Sequence, residues 1–150
     1  VGVVNSSPPM ISIAVRPNRY SHGMIESSGE FTVNLPTVEL AAIADGCGTL
    51  SGRDLNKFEH FQLTPGKGTL EFAPIVEECP INLDCQVNQS VDLGSHTLFI
   101  AEVKATFVDE QVLDQKGRID FSRFQLLGFC SGSYLKAEPL NLSLGYTLKK

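Results

Sequence analysis

The sequence predicts a mainly β fold with a few short helices, closed as an antiparallel barrel. Three observations carry this expectation. From Thr69 onward apolar residues recur with period two: Leu70 and Phe72, then Ile81, Leu83, Cys85 and Val87, then Leu98, Ile100, Val103 and Phe107. That is the spacing of strands with one buried face. Such strands are short and numerous and the helical stretches few, which suits a closed barrel without free edges. Finally, alternation breaks between Ile100 and Val103, which predicts a bulge of the kind barrels use to close.

A chain of 150 residues has the size of one ordinary domain and can bury roughly two-thirds of its unfolded surface. One domain spanning 1–150 is therefore expected. Hydrophobic residues make up 42% and charged residues 19%, the composition of a soluble globular protein and not of a disordered one. The net charge of −5 gives no general attraction to nucleic acid or to anionic lipid. Any phosphate must then be held by a local site.

No signal peptide or membrane-spanning run is legible. Cys47, Cys79, Cys85 and Cys130 form no CxxC pair, and no histidine stands at zinc-ligand spacing, which argues against a metal site. Cys79 and Cys85 read as one strand, about 20 Å apart at 3.3 Å per residue, too far for a mutual disulfide. Free thiols in a reducing cytoplasm are the economical expectation.

Taken in order, the chain opens on Val1-Gly2-Val3-Val4 without an initiator methionine, as though inside a folded element. Ser6-Ser7-Pro8-Pro9 is a turn, because consecutive prolines deny ladder donors. Met10 to Val15 reads as a buried strand, since β-branched residues dominate a run too short for a helix. Pro17-Asn18 breaks it. Ser21 is then the expected N-cap of a short helix over HGMIESS, ended by Gly29, and Phe31 to Leu35 forms the next strand.

A strand-to-helix loop exposes unpaired amides at the positive end of a helix dipole, a place that holds anions. Arg16, Arg19 and the Ser21 hydroxyl sit beside those amides. A capping serine flanked by solvated arginines fits the same spacing and is the commoner arrangement. Spacing alone marks an anion site and no more.

Val38 to Ala44 reads as a helix capped by Thr37 and stopped at Gly46. The glycine-rich Gly46 to Gly52 segment fails the spacing of a dinucleotide fingerprint and follows a helix instead of a strand, so a flexible loop is expected. Asp54 to Phe61 is a further short helix with Asp54 as N-cap and Phe58 and Phe61 on one face. Lys57 falls in its first turn, where the dipole disfavours a cation. A nearby anion would account for that placement, as would simple exposure.

His96 follows the turn Asp92-Leu93-Gly94 at the mouth of the strand Thr97 to Phe107, while His22 and His60 read as helix-surface residues. Asp114 to Gly117 is a turn and Ile119 to Phe121 a short extended piece. Phe129, within Leu126 to Cys130, reads as a core residue on physical grounds alone. The tail Tyr134 to Lys150 alternates leucines with polar residues and is suited to dock on a second subunit.

The stretches SPPMISIAVRPNRYSHGMIESSGEFTVNLP, SGRDLNKF, GSHTLFIAEV and LLGFCSGSY, in that order, resemble the flavin reductase-like family of FMN-binding split barrels, and within it the flavoredoxin group. The resemblance covers nearly the whole chain. It implies an antiparallel Greek-key split barrel with bound FMN, working as an oxidoreductase that takes electrons from NAD(P)H or a protein donor. It implies that Ser21, the amides after Arg16, and Lys57 hold the phosphate. His96 and Phe129 would border the isoalloxazine, with His96 tuning the reduced flavin, and Asn34 would support the ring edge or the adjacent backbone.

In that family an earlier strand and a flavin-touching loop come first, so an N-terminal strand is expected to be missing from the numbered chain. A cytoplasmic homodimer, with no nucleic acid or membrane partner, completes the expectation. An electron-transfer protein without NAD(P)H oxidation and a cofactor-free barrel serving as a binding module are the competing readings. No Ser/His/Asp or Cys/His pairing supports nucleophilic catalysis.

Overall fold

The computed structural model describes residues 1–140, 142 and 144–148. In chain order its elements are β1 (Gly2–Ser6), β2 (Pro9–Val15), α1 (Tyr20–Ser28), β3 (Glu30–Leu35), α2 (Ala41–Thr49), α3 (Lys57–His60), β4 (Pro65–Gly66), β5 (Ile75–Val76), β6 (Ile81–Asp92), β7 (Thr97–Val108), β8 (Leu127–Cys130) and β9 (Ser133–Lys136). Single 3-10 turns lie at Val38–Leu40, Glu110–Val112 and Tyr146–Leu148. No helix among the described residues is long and apolar enough to cross a membrane.

Five strands form one antiparallel sheet in the order β1-β2-β7-β6-β3, and β4-β5 and β8-β9 make two small two-stranded sheets. The expected closure is not observed among the described residues: β1 and β3 are edges. Mostly β, with short helices and antiparallel sheets that do not close on one another, this is a split-barrel fold. The two 12-residue strands β6 and β7 form its spine. The tail proposed to dock on a second subunit includes Asn141, Ser143, Lys149 and Lys150, which lie outside the described residues.

The core is built from Ile11, Ile25, Phe31, Cys85, Phe99 and Ala101. On β7 the buried positions at its start are Thr97, Phe99 and Ala101, the opposite phase from the expected Leu98 and Ile100. A continuous apolar run on a central strand carries no phase of its own. Bulges interrupt the β6–β7 ladder twice, between Asp84 and Cys85 opposite Ala105 and Val103, and between Val87 and Gln89 opposite Ala101 and Ile100. They flank the break in alternation. At the second, the skipped Asn88 turns its Oδ1 to accept from the Glu102 N–H at 3.2 Å.

Helix boundaries depart from expectation at three places. Helix α1 begins two residues earlier than predicted, so its N-cap is Arg19 without a side-chain cap and Ser21 lies inside the first turn. Its end at Gly29 is as expected: φ is 69° and the N–H donates to the Ile25 carbonyl at 2.8 Å. Helix α2 runs through Gly46 and Gly48 to Thr49, where a flexible loop was expected. Gly46 is required by packing, because a Cβ there would overlap the Phe61 ring. Asn56, not Asp54, caps α3: its Oδ1 accepts from the Phe58 N–H at 3.1 Å.

Thr69 to Phe72 is not a strand. Two alternating residues are too few to define one, and this segment is held instead by the Glu30 carboxylate, which accepts from the N–H groups of Glu71 and Phe72 at 3.1 and 2.9 Å. Cys79 precedes β6 and so does not share a strand with Cys85. Both are buried, and all four thiols are free.

Candidate functional site

A cleft of about 1000 Å³ opens between the N-terminal turn of α1, the C-terminal turn of α2 and the segment 50–57. Arg19, Arg53 and Lys57 line it against a single carboxylate, Asp54. Ser21 faces the same space. Local folding explains the convergence. First-turn N–H groups have no intrahelical acceptor; those of Arg19 and His22 are taken up by the carbonyls of Arg16 and Arg19, at 3.0 and 3.1 Å. The N–H groups of Tyr20 and Ser21 meet no backbone acceptor among the described residues. They remain at the positive end of a nine-residue helix, available to an anion.

The opposite wall is held by close approach. A Cβ on Gly52 would come to 2.8 Å from the Tyr20 ring, so the loop packs on that ring only as glycine. This contact sets Arg53 over the Tyr20 face at 5.8 Å, a cation–π placement. Lys57 is fixed by donating from Nζ to the Cys47 carbonyl in the last turns of α2. An ammonium has three donors, so two remain for a ligand. Burial pushes the Cys47 thiol up, and the neighbouring Lys57 charge opposes that shift.

Met24, Cys47 and Lys57 also line a second, more apolar pocket of about 510 Å³. Asn34 lies there and not in the cationic cleft. Its Oδ1 accepts from the Val76 N–H at 3.0 Å and its Nδ2 donates to Thr32 Oγ1 at 3.2 Å. The side chain thus ties β5 to β3.

The structure gathers Arg19, Ser21 and Lys57 and leaves the other expected residues apart. Arg16 is exposed and outside the cleft lining. His96, half-buried just before β7, has its Nδ1 3.0 Å from Ser95 Oγ. Phe129 is 65% exposed on β8, not the core residue expected, and its ring lies 5.1 Å from that of Tyr134. Arg53 was not singled out by sequence reasoning, although it stands inside the SGRDLNKF stretch.

His22, expected on the helix surface, is only 6% exposed. Its Nε2 lies 2.8 Å from Thr97 Oγ1, and its ring meets Phe99 edge-on at 5.5 Å. The available signal was its position three residues before the buried Ile25, on the same helix face.

The architecture is that of a split barrel, and a cleft lined by Arg19, Arg53 and Lys57 opens beside the N-terminal turn of α1. The chain belongs to the flavin reductase like domain family, whose model matches residues 1–136. Flavoredoxin of Desulfovibrio vulgaris (Miyazaki F) superposes with a TM-score of 0.86 at 28% identity, over 95% of this chain and 78% of that one. Flavoredoxin from Methanosarcina acetivorans does so with a TM-score of 0.82 at 30% identity, over 98% and 80%. An uncharacterized protein of Archaeoglobus fulgidus is 36% identical over 115 residues, 77% of this chain and 65% of that protein. The chain thus spans slightly less than two-thirds of this relative.

Proposed function

We propose that this chain is a single FMN-binding domain of a flavin reductase-type oxidoreductase, passing electrons from NAD(P)H or a redox-protein donor to an acceptor. The observation that carries this reading is the convergence of Ser21, Arg19, Arg53 and Lys57 on one cleft at the N-terminus of α1. Family membership supports a flavin. The three cations and the free first-turn amides favour a flavin bearing a phosphate dianion, because charge-assisted hydrogen bonds are roughly twice as strong as neutral ones.

The donor set fits that group. Ser21 offers a hydroxyl and a backbone N–H, Lys57 offers its two remaining ammonium donors, and the guanidinium groups of Arg19 and Arg53 offer planar forks suited to phosphate. Bound FMN supplies the redox chemistry, and the protein contributes binding, orientation and electrostatics. His96 and Phe129 border the ring in this reading, His96 by offering a hydrogen bond or a positive charge. Arg16 adds positive charge beside the loop that enters α1. Asn34 acts through the backbone of β5.

The working unit is a cytoplasmic homodimer without nucleic-acid or membrane partners, with the exposed apolar residues Phe129, Leu135, Leu140 and Leu144 on the contact surface. Titration with FMN, monitored by flavin fluorescence, tests the binding. Oxidation of NADH or NADPH with free FMN as acceptor then separates a reductase from a carrier that only relays electrons. A protein that purifies colourless and leaves added FMN unquenched would overturn the reading.

A further inference from the structure

We propose that His22 is a positioning residue for phosphate recognition, acting through its buried hydrogen bond to Thr97. The inference rests on the FMN reading and assigns a function to a side chain that reading leaves unused. Strand β2 ends at Val15, which pairs with Thr97, the first residue of β7. The chain then loops through 16–19 and enters α1. Two residues into that helix, His22 Nε2 reaches back to Thr97 Oγ1 at 2.8 Å. The far end of the loop is thereby fastened to the strand that its near end already pairs with.

The imidazole is held on every side. Its Nδ1 lies 3.4 Å from the Glu26 carboxylate, one turn further along α1. Its ring meets Phe99, itself 1% exposed, at an interplanar angle of 60°. Thr97 is 8% exposed. A buried polar pair gains directionality at a cost in desolvation that an apolar pair would avoid. Packing alone would be served as well by a leucine against Phe99.

What a directional bond adds here is a fixed rotation of the first turn of α1. Ser21 is adjacent to His22 and lines the cleft, so that rotation decides where the Ser21 hydroxyl and the free N–H groups point. Positioned donors of this kind lose effectiveness with displacements near 1 Å. Thr97 also follows His96 directly, so the same bond joins the phosphate end of the site to the histidine placed beside the ring.

The test compares FMN with riboflavin, which lacks the phosphate, on the whole chain. Wild-type protein is expected to prefer FMN; absence of that preference would overturn the FMN reading itself. With the preference present, Thr97→Val should reduce it about five-fold, the worth of one intramolecular hydrogen bond, while riboflavin affinity stays within about two-fold. Thr97→Ser, which keeps the hydroxyl, should restore the preference.

His22→Phe keeps the ring contact with Phe99 and should repeat the Thr97→Val result if that variant does not fold. An unchanged FMN-to-riboflavin ratio in a folded variant would overturn the proposal. So would an equal loss of both ligands, or failure of both variants to fold, since each would make the pair a purely structural element.

Discussion

Lys57, at the first position of α3, donates from its ammonium to the Cys47 carbonyl near the C-terminus of α2. The bond joins two short helices across the wall shared by the cationic cleft and the apolar pocket. It also explains a placement that helix electrostatics disfavours. A cation at a helix N-terminus is repelled by the dipole of its own helix, but the same cation here approaches the carbonyl end of another.

Lys57→Ala should therefore weaken FMN binding by about 1.5 to 3 kcal/mol, the range for a charge-assisted hydrogen bond. Riboflavin should bind almost unchanged. Fluorescence titration of both flavins checks this, and an equal loss for the two would reassign Lys57 to holding the helices together.

His96→Ala should make the bound flavin harder to reduce, because a hydrogen bond or positive charge beside the ring favours the reduced, more electron-rich form. The motivation is its place immediately before Thr97, half-buried at the start of β7. Spectroelectrochemical titration reads the midpoint potential. If that potential is the same in variant and wild type, His96 does not touch the ring.

Two glycines predict opposite stability changes. Gly68 lies so close to the fully buried Asp84 that a Cβ would overlap its carboxylate, which also accepts from the Thr69 N–H and hydroxyl at 2.5 and 2.8 Å. Gly68→Ala should cost about 1 to 3 kcal/mol by overpacking. Gly23, inside α1, meets nothing within 4 Å, and Gly23→Ala should stabilise by up to about 1 kcal/mol. Urea unfolding midpoints decide both signs.

Burial, reinforced by the neighbouring carboxylates Asp84 and Glu78, pushes the Cys85 thiol up to about 12 and the Cys79 thiol up to about 11. The nearby Cys47 pushes the Cys79 thiol further in the same upward direction. In the unfolded chain these thiols ionise near their ordinary value of 9.0. Above that pH the unfolded state sheds protons that the folded state keeps, so their contribution to stability is whole below about 9 and drains away as pH rises towards 11 and 12. The urea midpoint should fall from pH 9 to 11, and less steeply in Cys85→Ala. Parallel slopes for the two proteins would contradict the assignment.

Much of this molecule could be read in advance. The strands β2, β3, β6 and β7 follow from β-branched and alternating runs, and the end of α1 follows from Gly29. Ser21 and Lys57, candidates for an anion site from the sequence, line one cleft. The errors share a cause, which is that local pattern carries no information about a partner distant in the chain. Gly46 reads as a helix stop until Phe61 packs against it, and Ser21 reads as a cap until Arg19 takes that place.

From its residues alone, the chain determined a mainly β fold and its principal strands, because side-chain period and turn chemistry are local properties; the family was legible only through the resemblance of its motif stretches. Tertiary structure decided which face of β7 is buried, that the sheet stays open, that His22 turns inward to Thr97, and that Arg53 joins Ser21 and Lys57. Each of those depends on contacts between residues far apart in sequence, whose free energy is set by burial and geometry that no local window contains.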